Sequence, residues 1–203
     1  MGKLIAVVGN SGVGKTTLIR NLCEATAFTP VLEVIEERPF VPKCHKDPKR
    51  YIFLNQIDFL LHQAEQEMFI RESDVVGVMD AGLEMSFHIF TKRFHQKGNM
   101  KDKEFLLCER LYTTLRRCLP MPDLFIYLTA PFDILAERMT LRKRDLDVEK
   151  AEDLRALEKL IDVWIKTITS IPVIRIDASG DDLKYSKIME NLVQDVMRKL
   201  NIK

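Results

Sequence analysis

The sequence predicts an α/β fold of three layers, a five-stranded parallel sheet flanked by helices, on three observations. Five short apolar runs are β-branched and nearly unbroken, as in strands covered on both faces. Segments of helical period lie between them. A glycine loop follows the first run and opens the first helix. Such alternation implies right-handed crossovers between parallel strands.

The first strand is read over residues 4–8 and the first helix over 15–26. A second strand follows at 31–35. A long helix at 48–72 carries Tyr51, Leu54, Ile57, Phe59, Leu60, Leu61 and Ala64 as apolar positions. The third strand is 75–79, followed by helices near 84–96 and 102–118, with an exposed loop expected at 97–103. The fourth strand is 124–128, then helices at 131–144 and 149–169. The fifth strand is 173–176. The chain closes on an amphipathic helix whose apolar positions are Tyr185, Ile188, Met189, Leu192, Val193, Val196, Met197 and Leu200.

At 203 residues, one domain spanning 1–203 is expected, with a core that needs no disulfide or metal staple. Hydrophobic residues are 46% and charged residues 30%, a globular composition. Basic and acidic residues number 31 and 30, so the cationic excess of a nucleic-acid binder is missing. No apolar run is long enough to span a membrane, and no secretory leader is legible. The four cysteines, Cys23, Cys44, Cys108 and Cys118, form no Cys-x-x-Cys pair and read as reduced thiols of a cytoplasmic protein.

The glycine loop carries the chemistry. Gly9-Asn10-Ser11-Gly12-Val13-Gly14-Lys15-Thr16 fits G-x-x-x-x-G-K-[ST] at every fixed position, between a strand and a helix. Glycines let backbone N–H groups converge on an anion, and the helix start at Lys15 adds its positive dipole end. The lysine can reach the β- and γ-phosphates, Thr16 offers a hydroxyl to Mg²⁺, and Thr17 continues the first turn. ATP with Mg²⁺ is the expected cofactor. An Asn-Lys-x-Asp guanine-reading motif is missing, which argues against a switch GTPase. Arg138, Arg142, Lys143 and Arg144 form a late basic cluster, with Arg138 and Arg142 on one helix face. Such a cluster suits a flap over the donor phosphates.

These residues resemble the deoxynucleoside kinase family nearly end to end, and in length the bacterial deoxyadenosine/deoxyguanosine kinases. The family's Glu-Pro-Val signature is matched by Glu33-Val34-Ile35, followed by Glu36-Glu37-Arg38-Pro39-Phe40. Its substrate helix, with a Gln before an apolar stretch, is matched by Gln56-Ile57-Asp58-Phe59-Leu60-Leu61. Its Asp/Glu-Arg-Ser motif stands as Asp80-Ala81-Gly82, running on to Ser86 and Ile89-Phe90. The resemblance implies a P-loop kinase fold and phosphate transfer to the 5′-hydroxyl of a (deoxy)nucleoside or similar small molecule. Glu33 is then the general base, with Glu36 and Glu37 as nearby alternatives. Gln56 reads the base, Asp80 holds Mg²⁺ and lies at the substrate site, and Asp147 adds a substrate contact. Lys15, Arg138, Arg142 and Arg144 stabilise the transferring phosphate. Asp177 and Ala178 cradle the donor adenine. A homodimer formed by the helices at 48–72 and 102–118 is also implied, with neither nucleic acid nor membrane as partner.

Two departures stand out. The family's Arg is Ala81 here, and its base-reading Asp is Ser86. Loss of both partners of a charged pair leaves a more neutral pocket and implies weak use of the common deoxynucleosides. The alternative is an ATP-binding subunit that has lost its acceptor site. A nucleoside-monophosphate kinase fits less well, because Arg38 is the one basic residue near the second strand that could meet an acceptor phosphate.

Overall fold

The computed structural model describes residues 1–33, 38–142, 151–180, 182 and 185–202. Its sheet has five parallel strands in the order β2-β3-β1-β4-β5. These are β1 (Lys3–Gly9), β2 (Thr29–Val31), β3 (Val76–Asp80), β4 (Leu124–Thr129) and β5 (Val173–Asp177). Around it lie α1 (Lys15–Glu24), α2 (Val41–Lys46), α3 (Pro48–Glu72), α4 (Gly82–Met85), a π-helical turn (Ser86–Thr91), α5 (Lys92–Gln96), α6 (Asp102–Cys118), α7 (Phe132–Arg142), α8 (Ala151–Ile165) and α9 (Met189–Leu200).

The unbroken apolar runs follow from burial on both faces. Ile5 and Val7 of β1, with Ile126 and Leu128 of β4, pack against Leu18, Ile19 and Leu22 of α1 and Leu192 and Val196 of α9. Ala6 and Val8, with Phe125 and Tyr127, face the opposite way onto Leu157, Ile161 and Trp164 of α8. A third cluster joins Ile52, Leu60 and Ala64 of α3 to Cys108 of α6 and to Leu83 and Phe87. Three of the free cysteines, Cys23, Cys44 and Cys108, sit where burial pushes their thiols up to about 11, 11 and 12. They stay protonated and inert at neutral pH.

Strand register gathers the sequence motifs at one edge. Val7 pairs with Asp80, Gly9 with Leu128, and Thr129 with Asp177. The loops after all five strands therefore open on the same side, and β1, where the strand order reverses, sits at the centre.

The second strand runs Thr29–Val31; of the expected 31–35, Leu32 and Glu33 lie beyond it and 34–35 lie outside the described residues. It is an edge strand bonded to β3, so it tolerates Pro30. Helix α2, with Pro at its start, was not foreseen, because six residues show too little periodicity. The 97–103 segment is exposed at Lys97, Gly98 and residues 101–103, but Met100 is buried and Lys97 pairs with Asp153 at 2.7 Å.

Helix α3 has apolar residues on both faces. Its buried face mixes Ile52, Phe59, Leu60, Ala64 and Ile70 with Asn55, Gln56, Gln63, Glu67 and Arg71, while Leu54, Leu61, Met68 and Phe69 are exposed. No helix among the described residues is long and apolar enough to cross a membrane.

Candidate active site

The loop between β1 and α1 is built for an anion. Gly12 and Gly14 have φ of 78° and 104°, in the region closed to ordinary side chains. A Cβ at Gly14 would stand 2.8 Å from the Tyr185 hydroxyl, so that ring also seats the loop. Val13 points into the core and pins the loop from below. Lys15 Nζ donates to the carbonyls of Gly9 (3.1 Å) and Asn10 (3.2 Å), which places its charge over the cradle. Asn10 is buried: its Oδ1 accepts from Ser11 N–H at 2.9 Å, and its amide donates to the Leu154 carbonyl and to Glu158 of α8, each at 2.8 Å. Thr17 is exposed in the first turn of α1, where helix N–H groups have no intrahelical partner.

Thr16 and Asp80 come from different motifs, 64 residues apart, yet the Thr16 hydroxyl donates to Asp80 Oδ2 at 2.6 Å. One hydroxyl and one carboxylate beside a phosphate cradle suit Mg²⁺, which keeps several waters and takes few protein ligands. No group of three or more acidic, His or Cys side chains suited to a metal occurs among the described residues, so the ion would rest on this pair and on phosphate oxygens.

Arg138 does something the sequence did not suggest. Its guanidinium donates to the carbonyls of Ala178 (2.9 Å) and Gly180 (3.2 Å) and reaches the Val13 carbonyl at 3.5 Å. It therefore ties the glycine loop to the loop after β5. In that loop, the Ser179 hydroxyl and then its N–H, the latter at 2.9 Å, hold the Asp177 carboxyl below the usual range, and Ala178 is buried. Arg142 ends α7, and its side chain lies outside the described residues, as do Arg144, Asp147, Glu36 and Glu37.

The remaining expected site residues are Glu33, two residues beyond β2, and those on α3 and on the turn after β3. Gln56 is buried, and the buried Thr91 hydroxyl lies 2.9 Å from its Oε1 and 2.8 Å from the Ser86 carbonyl. Having one proton, that hydroxyl serves one acceptor at a time. Ala81 has φ 66°, a conformation that costs about 1–3 kcal/mol in a non-glycine residue and clusters at functional turns. A π-helical turn, another mark of functional sites, follows five residues later.

Among the described residues, three cations that could substitute for the guanidinium lost at Ala81 are engaged elsewhere. Arg38 pairs with Asp58 at 3.3 Å, Arg93 with Asp153 at 2.6 Å, and Lys92 stands 3.5 Å from His88 Nδ1. The buried guanidinium is instead Arg116 of α6, which sequence reading missed. It forks onto both oxygens of Glu67 at 2.7 Å and bonds Glu84 at 2.6 Å. Tyr112 donates to Glu84 at 2.7 Å, and His88 Nε2 stands 3.0 Å from that hydroxyl. Burial pushes the Glu84 carboxyl up, against the pull of Arg116. Burial, with Lys92 and Arg116 nearby, pushes His88 down to about 4, so it is neutral at physiological pH. Glu67 and Glu84 come from different helices, α3 and α4, and nothing local in the sequence indicates that one guanidinium serves both.

Comparison with known proteins matches this geometry. A family model described as deoxynucleoside kinase matches residues 5–201. The chain is 26% identical to a deoxyadenosine/deoxycytidine kinase of Bacillus subtilis, with 95% of this chain and 91% of that protein covered. It is 30% identical to a deoxyadenosine kinase of Dictyostelium discoideum, over 88% and 73% of the two. In structure it is similar to a deoxyadenosine kinase from M. mycoides with bound dCTP. The TM-score is 0.79, the identity is 22%, and 98% of each chain is covered.

Proposed function

Since this chain belongs to the deoxynucleoside kinase family, and is therefore a nucleoside phosphotransferase, we propose that it moves the γ-phosphate of Mg·ATP onto the 5′-hydroxyl of a nucleoside. The observation that carries this reading is the 2.6 Å bond between Thr16 and Asp80. It joins the glycine loop to the end of β3, where a metal bridging donor phosphates must sit. Lys15 neutralises charge on the transferring group, and Glu33 takes the proton of the attacking hydroxyl. Arg138 holds the donor walls, Asp177 and Ala178 flank the adenine, and Gln56 faces the acceptor base. Arg142, Arg144 and Asp147 complete the flap. ATP turnover with a panel of nucleosides, with and without Mg²⁺, tests it. Turnover that ignores every nucleoside would favour the second reading, an ATP-binding subunit, which the loss of the charged pair at Ala81 and Ser86 supports.

Glu33→Gln is expected to lower kcat by at least about 10²-fold while KM for ATP stays near the parent value, the signature of a lost general base. An unchanged kcat would move the role to Glu36 or Glu37.

The exposed apolar residues of α3 support a homodimer. Leu54, Leu61 and Met68 recur every seven residues and are exposed, beside Phe69 and with Leu106 and Leu107 on the adjacent α6. An apolar stripe of this length on a soluble chain marks an interface. Light scattering should give about twice 23.6 kDa at micromolar concentration. A monomer mass there would count against it.

A further inference from the structure

Helix α8 is bonded to the glycine loop and to α5 through two consecutive residues. The Leu154 carbonyl accepts from the Asn10 amide at 2.8 Å, and the Leu154 side chain joins the core cluster that holds Val13 of the loop. Asp153 turns the other way. Its Oδ1 accepts from Arg93 Nε and Nη2 at 3.0 and 2.6 Å, and its Oδ2 accepts from Lys97 at 2.7 Å. Arg93 lies on α5, two residues beyond Thr91, whose hydroxyl is 2.9 Å from Gln56 Oε1.

A carboxylate in the first turn of a helix is favourable by itself and can stay in water. Asp153 is instead 2% exposed and enclosed by two cations from outside its own helix. A buried charge is tolerated only where its partners are well placed, so the contact fixes α8 against α5. Further along, Leu157, Ile161 and Trp164 pack on Met85 and Ile89, on either side of Ser86. On the donor side, Glu158 takes the second Asn10 amide proton at 2.8 Å, and Asn10 Oδ1 accepts from Ser11 N–H at 2.9 Å. A connected series of bonds thus runs from Arg93 through the first turn of α8 to the backbone of the glycine loop.

We propose that Asp153 is a positioning residue for donor binding. It holds the first turn of α8, and through Asn10 the glycine loop, in the shape that takes Mg·ATP, and it makes that shape depend on α5. This rests on the donor-site reading above. Coupling between separated sites is carried by packed and bonded elements of this kind. It is reciprocal, so a shift of α5 changes the affinity for ATP, and bound ATP steadies α5. Because Asp153 and Leu154 are consecutive, the first turn of α8 cannot leave one partner without straining its bond to the other.

The test is calorimetric titration of the full chain with a non-hydrolysable ATP analogue and Mg²⁺. Arg93→Met changes a guanidinium that bonds Asp153 and, among the described residues, no atom of the glycine loop. It should still weaken analogue binding at least about fivefold, the lower end of ordinary coupling between sites. Asp153→Ala should do the same and leaves no buried charge behind, because Arg93 and Lys97 are partly exposed and can turn to water. Arg93→Lys, which restores a charge but not the fork, should lose less than Arg93→Met. In an Asn10→Ala background the loss from Arg93→Met should shrink below about twofold, because the route to the loop is already broken. A loss that persists in full in that background would overturn the assignment. So would variants that melt lower yet bind the analogue as the parent does, which would mark Asp153 as structural. A parent that shows this coupling but transfers phosphate to no nucleoside sinks the phosphotransfer reading and leaves this one standing. A parent that does not bind the analogue overturns both.

Discussion

Lys15→Ala should reduce kcat/KM for ATP by about 10⁴-fold or more, with the fold intact. Two losses combine: a positive charge on the ground-state phosphates, and the stronger interaction with charge that develops during transfer. Removing one such group commonly lowers kcat by about 10²–10³-fold, and the loss of ATP affinity multiplies it. The fold should survive, because the lysine ammonium bonds only to two loop carbonyls, of Gly9 and Asn10. Loop shape is held elsewhere, by Val13 in the core, by Asn10 against α8, and by Tyr185 over Gly14. Parent-like circular dichroism and melting with turnover near background is the expected result. Turnover close to the parent rate would show that the donor phosphates lie elsewhere.

Arg116→Met should be the most destabilising substitution near the site, at about 3–5 kcal/mol, the range for removing one partner of a buried ion pair. The guanidinium is 10% exposed, and the Glu67 and Glu84 side chains 1% and 2%. Without it, two buried carboxylates face each other with the Tyr112 hydroxyl and the His88 ring, 3.5 Å from Glu84, beside them. The deficit should depend on pH in a definite direction. Burial already raises the Glu84 carboxyl above its ordinary 4.5, and Arg116 is the largest influence holding it down. Removing Arg116 raises it further. A carboxyl whose folded value exceeds its unfolded one binds more protons when folded, so stability falls as pH rises above about 4.5. The variant should therefore be closest to the parent near pH 5 and furthest near pH 8, by urea unfolding. Adding Glu67→Gln and Glu84→Gln should recover much of the loss, because the three groups act as one unit. A pH-independent loss, or one below about 1 kcal/mol, would mean the cluster is well solvated.

The donor half of the site was legible because its chemistry is local. A phosphate cradle needs glycines, a lysine and a hydroxyl within eight consecutive residues, and residues 9–16 hold them all in order. Asp80 was legible for a related reason: it ends a buried apolar strand, where a carboxylate has no packing role. The acceptor half was legible only in part. Gln56 was named through the resemblance alone, and the helix was read with Leu54 and Leu61 among its apolar positions without a choice of face; both are exposed. Apolar residues occur on both sides of α3, so periodicity could not choose the buried face. Arg138 was read as a phosphate contact, yet in this structure it binds backbone carbonyls of the loop after β5. No property of an arginine on an exposed helix distinguishes those two partners.

By itself, then, the sequence determined the class of fold, the order of its five strands, and a glycine loop of phosphate-binding form. Each of these depends on a short-range pattern: an unbroken apolar run, period 3.6, or a contiguous motif. Only the tertiary structure decided which face of α3 is buried and that Arg116 neutralises Glu67 and Glu84 across 49 and 32 residues. Those outcomes depend on which groups the packing of α3, α4 and α6 brings within 3 Å of one another. Burial then sets the energy of each group, since a charge or an amide that is inexpensive in water becomes decisive once water is excluded.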